Sequence, residues 1–85
     1  MGFDMELSDT VDMMLSQDYK KRFKAEYYQL AIRYKKLNTM LMKWDTGALD
    51  FTPDYPRNLY DEQIKGMRIY MTVLEDRAVH EGIKL

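Results

Sequence analysis

The chain contains no cysteine, so disulfides and thiolate metal sites are excluded and an intracellular setting is the expectation. It has one histidine, His80, with Asp76 one helical turn before it. The two make half of a metal site, and no second histidine or cysteine exists to complete it. The Glu-x-x-His motif of di-iron bundles is missing as well. No metal and no cofactor are therefore expected. A Ser–His or Cys–His catalytic system also lacks parts, so the chain reads as a non-enzyme. The four glycines, at 2, 47, 66 and 82, form no phosphate-cradling loop. No apolar run approaches the roughly 20 residues of a membrane span, and no membrane partner is expected. The first residues, MGFDMELSD, are acidic where a signal peptide is basic.

What is present is periodicity. One heptad seam reads Phe23, Tyr27, Leu30, Tyr34, Leu37, Leu41, Trp44, and a second reads Tyr60, Ile64, Met67, Met71, Leu74, Ala78. The gaps alternate between four and three, which keeps an apolar line on one side of a helix facing a partner. Between the seams lie Gly47, suited to the left-handed residue that closes a helix, and two prolines, Pro53 and Pro56. Pro56 suits the first position of the second helix, and Gly82-Ile83 repeats the closing pattern. The expected fold is all-α: two long antiparallel helices forming a coiled-coil-like helical hairpin over residues 18–85, preceded by an acidic arm or short helix over residues 1–17. Ser8 caps that short helix in this reading, with Leu7, Val11, Met14 and Leu15 on its apolar side. The main helix begins near Ser16 or runs on from the short one. Phe51 and Tyr55 pack over the connector end.

An 85-residue chain buries a modest core. With disulfides and metals excluded, oligomerisation is the expected source of added stability. Tyr28, Ile32, Met40, Ile69, Tyr70 and Val73 widen the apolar stripe beyond the needs of two strands, so the hairpins are expected to assemble into a helical bundle, most simply a dimer. Gly66, inside the second helix, costs about 1 kcal/mol relative to alanine. Close approach of another helix or of a ligand accounts for it.

The net charge of −1 hides an uneven distribution. Lys20, Lys21, Arg22, Lys24, Arg33, Lys35, Lys36 and Lys43 face only Asp18 and Glu26 within residues 18–44, a local balance of +6. Such a helix invites an anionic ligand or an internal acidic partner. The pI near 5.7 and the acidic arm argue against nucleic acid.

Beside the first seam runs a polar line, Arg22, Glu26, Gln29, Arg33, Lys36, matched on the second helix by Gln63, Tyr70 and Arg77. Residues beside a seam usually form ion pairs that fix helix partner and orientation. The functional alternative uses the same side chains. Arginine forks bind phosphates, and tyrosine rings, of which there are seven, stack on bases. Arg22, Arg33, Lys36 and Arg77, with Tyr28 or Tyr70, form the candidate site for a small anionic, nucleotide-like ligand.

The stretches DYKKRFKAEYYQLAIRYKKLNTML and YDEQIKGMRIYMTVLEDRAVHEGI resemble a family of small phage-encoded helical proteins first catalogued from crAss-like phages. The resemblance rests on Tyr19, Arg22, Glu26, Leu30 and Leu37, then Gln63, Met67, Tyr70, Leu74 and Arg77, and covers residues 18–85. It implies a phage origin, hence the cytoplasm of an infected bacterium, and little chemistry; small non-enzymatic phage proteins often disarm host defences, which makes an anti-defence role the expectation. One such class is the sponges, small oligomers that sequester nucleotide immune signals; the glycine–tyrosine–arginine signature of one helical sponge class is absent here. The alternative is a protein–protein module that inhibits or adapts a host defence protein through its helix face. Inhibitors of that kind often present negative charge, which the basic first helix does not.

Overall fold

The computed structural model describes residues 5–85. The first four residues of the expected 1–17 arm, Asp4 among them, lie outside the described residues. A 3-10 turn, Leu7–Thr10, leads into a single helical turn, α1 (Val11–Met14), then into α2 (Tyr19–Asp45) and α3 (Arg57–Glu81). No strand occurs among the described residues. At 1.5 Å per residue α2 is about 40 Å long, close to the 43 Å long axis of the molecule.

Local chemistry sets each boundary. Asp18 caps α2, its carboxylate accepting from the Lys20 N–H at 2.9 Å, so the helix starts three residues after Ser16. Ser16 caps nothing; its hydroxyl accepts from the Asp18 N–H at 3.0 Å. At the far end Gly47 takes φ 74°, the Ala48 N–H reaches the Lys43 carbonyl at 2.7 Å, and the Gly47 N–H reaches that of Trp44 at 3.1 Å. This is the six-to-one, five-to-two closure that a left-handed residue permits. The same closure ends α3 at Gly82, φ 68°, with the Ile83 N–H on the Ala78 carbonyl at 2.8 Å. It turns Ile83 back into the core. Pro56 stands just before α3 as its cap residue rather than inside it.

Side-chain pairs run in opposite order along the two long helices. Tyr19 meets Glu81, Tyr27 meets Glu75, Tyr34 meets Arg68, and Asp45 meets Arg57. The helices are therefore antiparallel. Phe23, Tyr27 and Ala31 pack with Leu74, Ala78 and Ile83 as the central cluster, with Tyr28, Leu30 and Met71 against it. Every residue of both seams is buried or half-buried. Toward the connector, Tyr60 takes Trp44 and Tyr55 edge-on, at ring separations of 6.0 and 5.3 Å. Both connector aromatics are exposed, Phe51 at 55% and Tyr55 at 50%, and it is Tyr55 that reaches the hairpin end through its ring contact with Tyr60.

The arm crosses the opposite side of α2. Among its described residues one is buried, Thr10, wholly enclosed. The Thr10 hydroxyl donates to the Leu7 carbonyl at 2.7 Å and accepts from the Gln29 amide at 3.0 Å. Glu6 reaches Lys36 at 3.3 Å. Beneath lie Ala25 and Ile32, both buried, about half a turn round α2 from the seam. The expected apolar side of the arm docks only in part: Leu7 is half-buried and the Met14 sulfur accepts from the Gln29 amide at 3.5 Å, while Val11 and Leu15 are exposed. Ser8 does not cap it either. The Glu6 N–H is satisfied by the Asp9 carboxylate at 2.8 Å.

Thr10→Val keeps the shape and removes the hydroxyl that Gln29 needs. The expected cost is about 1 kcal/mol, confined to the arm. Amide exchange should accelerate over residues 5–16 and stay unchanged in α3.

Candidate functional site

The polar line of α2 can now be followed residue by residue. Arg22 turns back, its guanidinium donating to the Ser16 carbonyl at 2.8 Å, which ties the arm-to-helix turn to α2. Glu26 accepts the Tyr70 hydroxyl from α3. Gln29 and Lys36 hold the arm. Arg33 alone of the line is exposed and makes no ion pair or hydrogen bond with another described residue.

On α3, Arg77 lies over the Phe23 ring at 5.0 Å, donating to Glu81 at 3.3 Å and to the Tyr19 hydroxyl at 3.1 Å. The Tyr19 hydroxyl in turn donates to Glu81 at 2.5 Å. The Tyr19 bond, then the Arg77 guanidinium, hold the Glu81 carboxyl below its ordinary range. Two of the five N–H donors of Arg77 are used in this network.

The structure therefore brings four of the six candidate residues to one flank: Arg22, Arg33, Tyr70 and Arg77. Tyr70 and Arg77 are placed there by their contacts with Glu26, Tyr19 and Phe23. Tyr28 is elsewhere. It lies two residues beyond Glu26, about 200° round the helix, edge-on to Tyr27 at 5.8 Å and packed against the core. Lys36 is turned to the arm. Two shallow hollows lie off this flank. One of about 450 Å³ is floored by Met13, Lys21 and Lys24, and one of about 310 Å³ by Lys36, Met40, Lys43 and Phe51.

The sequence reading missed what the tyrosines do. Tyr19, Tyr27, Tyr34 and Tyr70 each span the two long helices with the hydroxyl on a charged partner. Arg57 was missed as well. It forks onto Asp45 with two bonds of 2.9 Å, takes Asp61 at 2.9 Å, and lies 6.0 Å from the Trp44 ring centre. A weak signal existed for the second only: Arg57 and Asp61 at i,i+4 spacing on one side of the connector, with Asp45 at its other end.

The phenol network titrates. Burial, and then the 2.5 Å bond to Glu75, push the Tyr27 hydroxyl well above its ordinary value. The Glu81 and Glu26 carboxylates raise Tyr19 and Tyr70. A pKa raised in the folded chain gives stability that is present below the unfolded value and lost as pH climbs through the folded one. Helix content should hold to about pH 10 and fall in stronger alkali. Tyr27→Phe should make that alkaline fall shallower, as read by circular dichroism.

Among the described residues no three metal-ligating side chains gather, and His80 sits 3.7 Å from Asp76 at the exposed end of α3. No described helix is long and apolar enough to cross a membrane. Comparison with known proteins gives one positive result: the family model described as Sequestin matches residues 17–80, both long helices and their connector without the arm. No curated protein and no solved structure matches.

Proposed function

The chain belongs to the Sequestin family, and from that premise we propose that it is a phage anti-defence protein that sequesters a nucleotide-type immune signal without turning it over. The family name speaks of sequestering, and the resemblance over residues 18–85 supplies the phage setting, in the cytoplasm of an infected bacterium. The observation that carries the reading is the flank of α2 and α3. Arg33 stands there with an uncommitted guanidinium, and Arg77 retains spare donors on the side where Tyr70 offers a ring. Forked guanidinium groups take phosphate oxygens, and an aromatic face takes a base. Arg22 adds positive charge at the edge, whereas Lys36 is paired with Glu6 and Tyr28 packs against the core on another side of α2, which leaves Tyr70 as the ring. The antiparallel helices act as a hairpin unit, and hairpins assemble into an oligomer.

The test is native mass spectrometry of protein purified from bacteria with an active nucleotide-signalling defence. The expected result is protein carrying the extra mass of a nucleotide. Protein that emerges bare from such cells overturns the reading. The alternative then takes its place: a module that grips a host defence protein through the exposed apolar face of α3, where Ile69 and Val73 stand in solvent. Ile69→Asp would then abolish capture of that host protein.

A further inference from the structure

The arm, over residues 5–16, occupies most of the polar line of α2. The Glu6 carboxylate sits on the Lys36 ammonium at 3.3 Å. The Gln29 side-chain amide donates to the Thr10 hydroxyl at 3.0 Å and to the Met14 sulfur at 3.5 Å. Where the arm turns into α2, the Ser16 carbonyl accepts from the Arg22 guanidinium at 2.8 Å. Three of the five residues of the line are thus engaged by the arm, spread over about 21 Å of helix. Glu26 goes to Tyr70 on α3, and Arg33 is left open.

The arm is built as a substitute for an anion. Its described residues carry Glu6, Asp9 and Asp12 and no base, and it lies on the helix whose local balance is +6. It offers a carboxylate to Lys36, a hydroxyl to Gln29 and a carbonyl to Arg22. All three are oxygen acceptors, and a phosphate offers the same to the same donors. The arm is also lightly fastened. Both side chains of the Glu6–Lys36 pair are mostly in solvent, where an ion pair contributes little. Thr10 alone is deeply seated, while Val11, Met14 and Leu15 stand exposed. The family model begins at residue 17. The donors Arg22, Gln29 and Lys36 therefore lie within the matched helices, and every acceptor that occupies them lies before the match.

Resting on the reading that the Arg33 flank takes a nucleotide-type anion, we propose that the arm is an autoinhibitory strap on that site. Closed, it holds Arg22, Gln29 and Lys36 and leaves Arg33 as the point of first contact. Lifted, it releases these donors, and the site grows from one open guanidinium to a row along α2 that can take several phosphate oxygens. The apparent affinity is then governed by the fraction of chains whose arm is up.

Isothermal titration calorimetry on the full chain, with ATP as the probe, tests this. Thr10 has no exposed surface, so the longer side chain of Thr10→Gln cannot seat. That variant should bind ATP about tenfold more tightly than wild type. Faster amide exchange over residues 5–16, with α3 unchanged, shows that the arm has lifted and the hairpin has not opened. Glu6→Gln, a surface change with no burden on the fold, should give a smaller gain of about two- to threefold. Asp76→Asn removes the same charge from an exposed position on α3 and should give none. Lys36→Ala should cost little in wild type and about fivefold in Thr10→Gln, a non-additivity that marks competition for one group. Equal affinity in wild type, Thr10→Gln and Glu6→Gln overturns the strap and leaves the nucleotide reading standing. An equal gain in Asp76→Asn reduces the effect to net charge and also overturns the strap. No ATP bound by any of these chains overturns the nucleotide reading and the strap with it.

Discussion

Leu74→Ala is expected to lower the melting temperature by about 12–24 °C. Leu74 has no exposed surface and lies among Phe23, Tyr27, Ala78 and Ile83. Truncating a fully buried leucine removes its transfer energy and leaves a cavity, together about 3 kcal/mol. A chain of this length has a total of about 4–13 kcal/mol to lose from, and each kcal/mol moves the midpoint of so small a domain by about 4–8 °C. The neighbours cannot close the gap easily, since Ala78 is already small and Tyr27 is anchored by its bond to Glu75. Val79→Ala, on a side chain 79% exposed, is the control and should shift the midpoint by no more than about 0.5 kcal/mol implies. Thermal melts followed at the helical band check both. Equal melts for the two variants would show that α2 and α3 do not bury Leu74 between them.

If the proposed nucleotide-type signal is the ligand, Arg33→Ala is expected to remove about 10- to 100-fold of the affinity for it and to leave the melt unchanged. A hydrogen bond to a charged group contributes about 1.5–3 kcal/mol, and about 1.4 kcal/mol is tenfold in affinity. Arg33 is the informative choice because it supports nothing else among the described residues. Arg22→Ala would free the Ser16 carbonyl, and Arg77→Ala would dismantle the Tyr19–Glu81 network, so either would mix binding with folding. Arg33→Lys should recover only part of the loss, because an ammonium is a point charge and not a fork. The nucleotide mass retained per protein in native mass spectrometry reads the effect. Full retention in Arg33→Ala would remove this arginine from the site.

The seams were legible because heptad spacing leaves a helix little choice about which side to hide: Phe23 to Trp44 and Tyr60 to Ala78 are buried or half-buried throughout. Gly47 and Gly82 were legible for a similar reason, as each closes a helix in a conformation other residues avoid. The arm was not. A four-residue helix carries no readable period, and its rotation comes from one hydroxyl meeting Gln29, nineteen positions away. The candidate site was half legible. Its spacing along α2 is plain in the sequence, but partnership is not: the bonds of Tyr70 with Glu26 and of Arg77 with Tyr19 join residues 44 and 58 positions apart. The same distance in sequence turned tyrosines that look like stacking platforms into cross-helix struts.

Both tips of the long helix pair carry the same device. Arg57 lies against Trp44 with two carboxylates in its fork, and Arg77 lies on Phe23 with a carboxylate and a phenol. To slide by one turn the helices would have to break both at once, so register is held like a string clamped at two points. The span between the clamps holds Gly66 and the pliant side chains Met67 and Met71. Three cross-helix bonds tie that span as well, Tyr27 to Glu75, Tyr34 to Arg68 and Tyr70 to Glu26, so the string is stopped along its length and Arg33 stands on a stretch that keeps its shape.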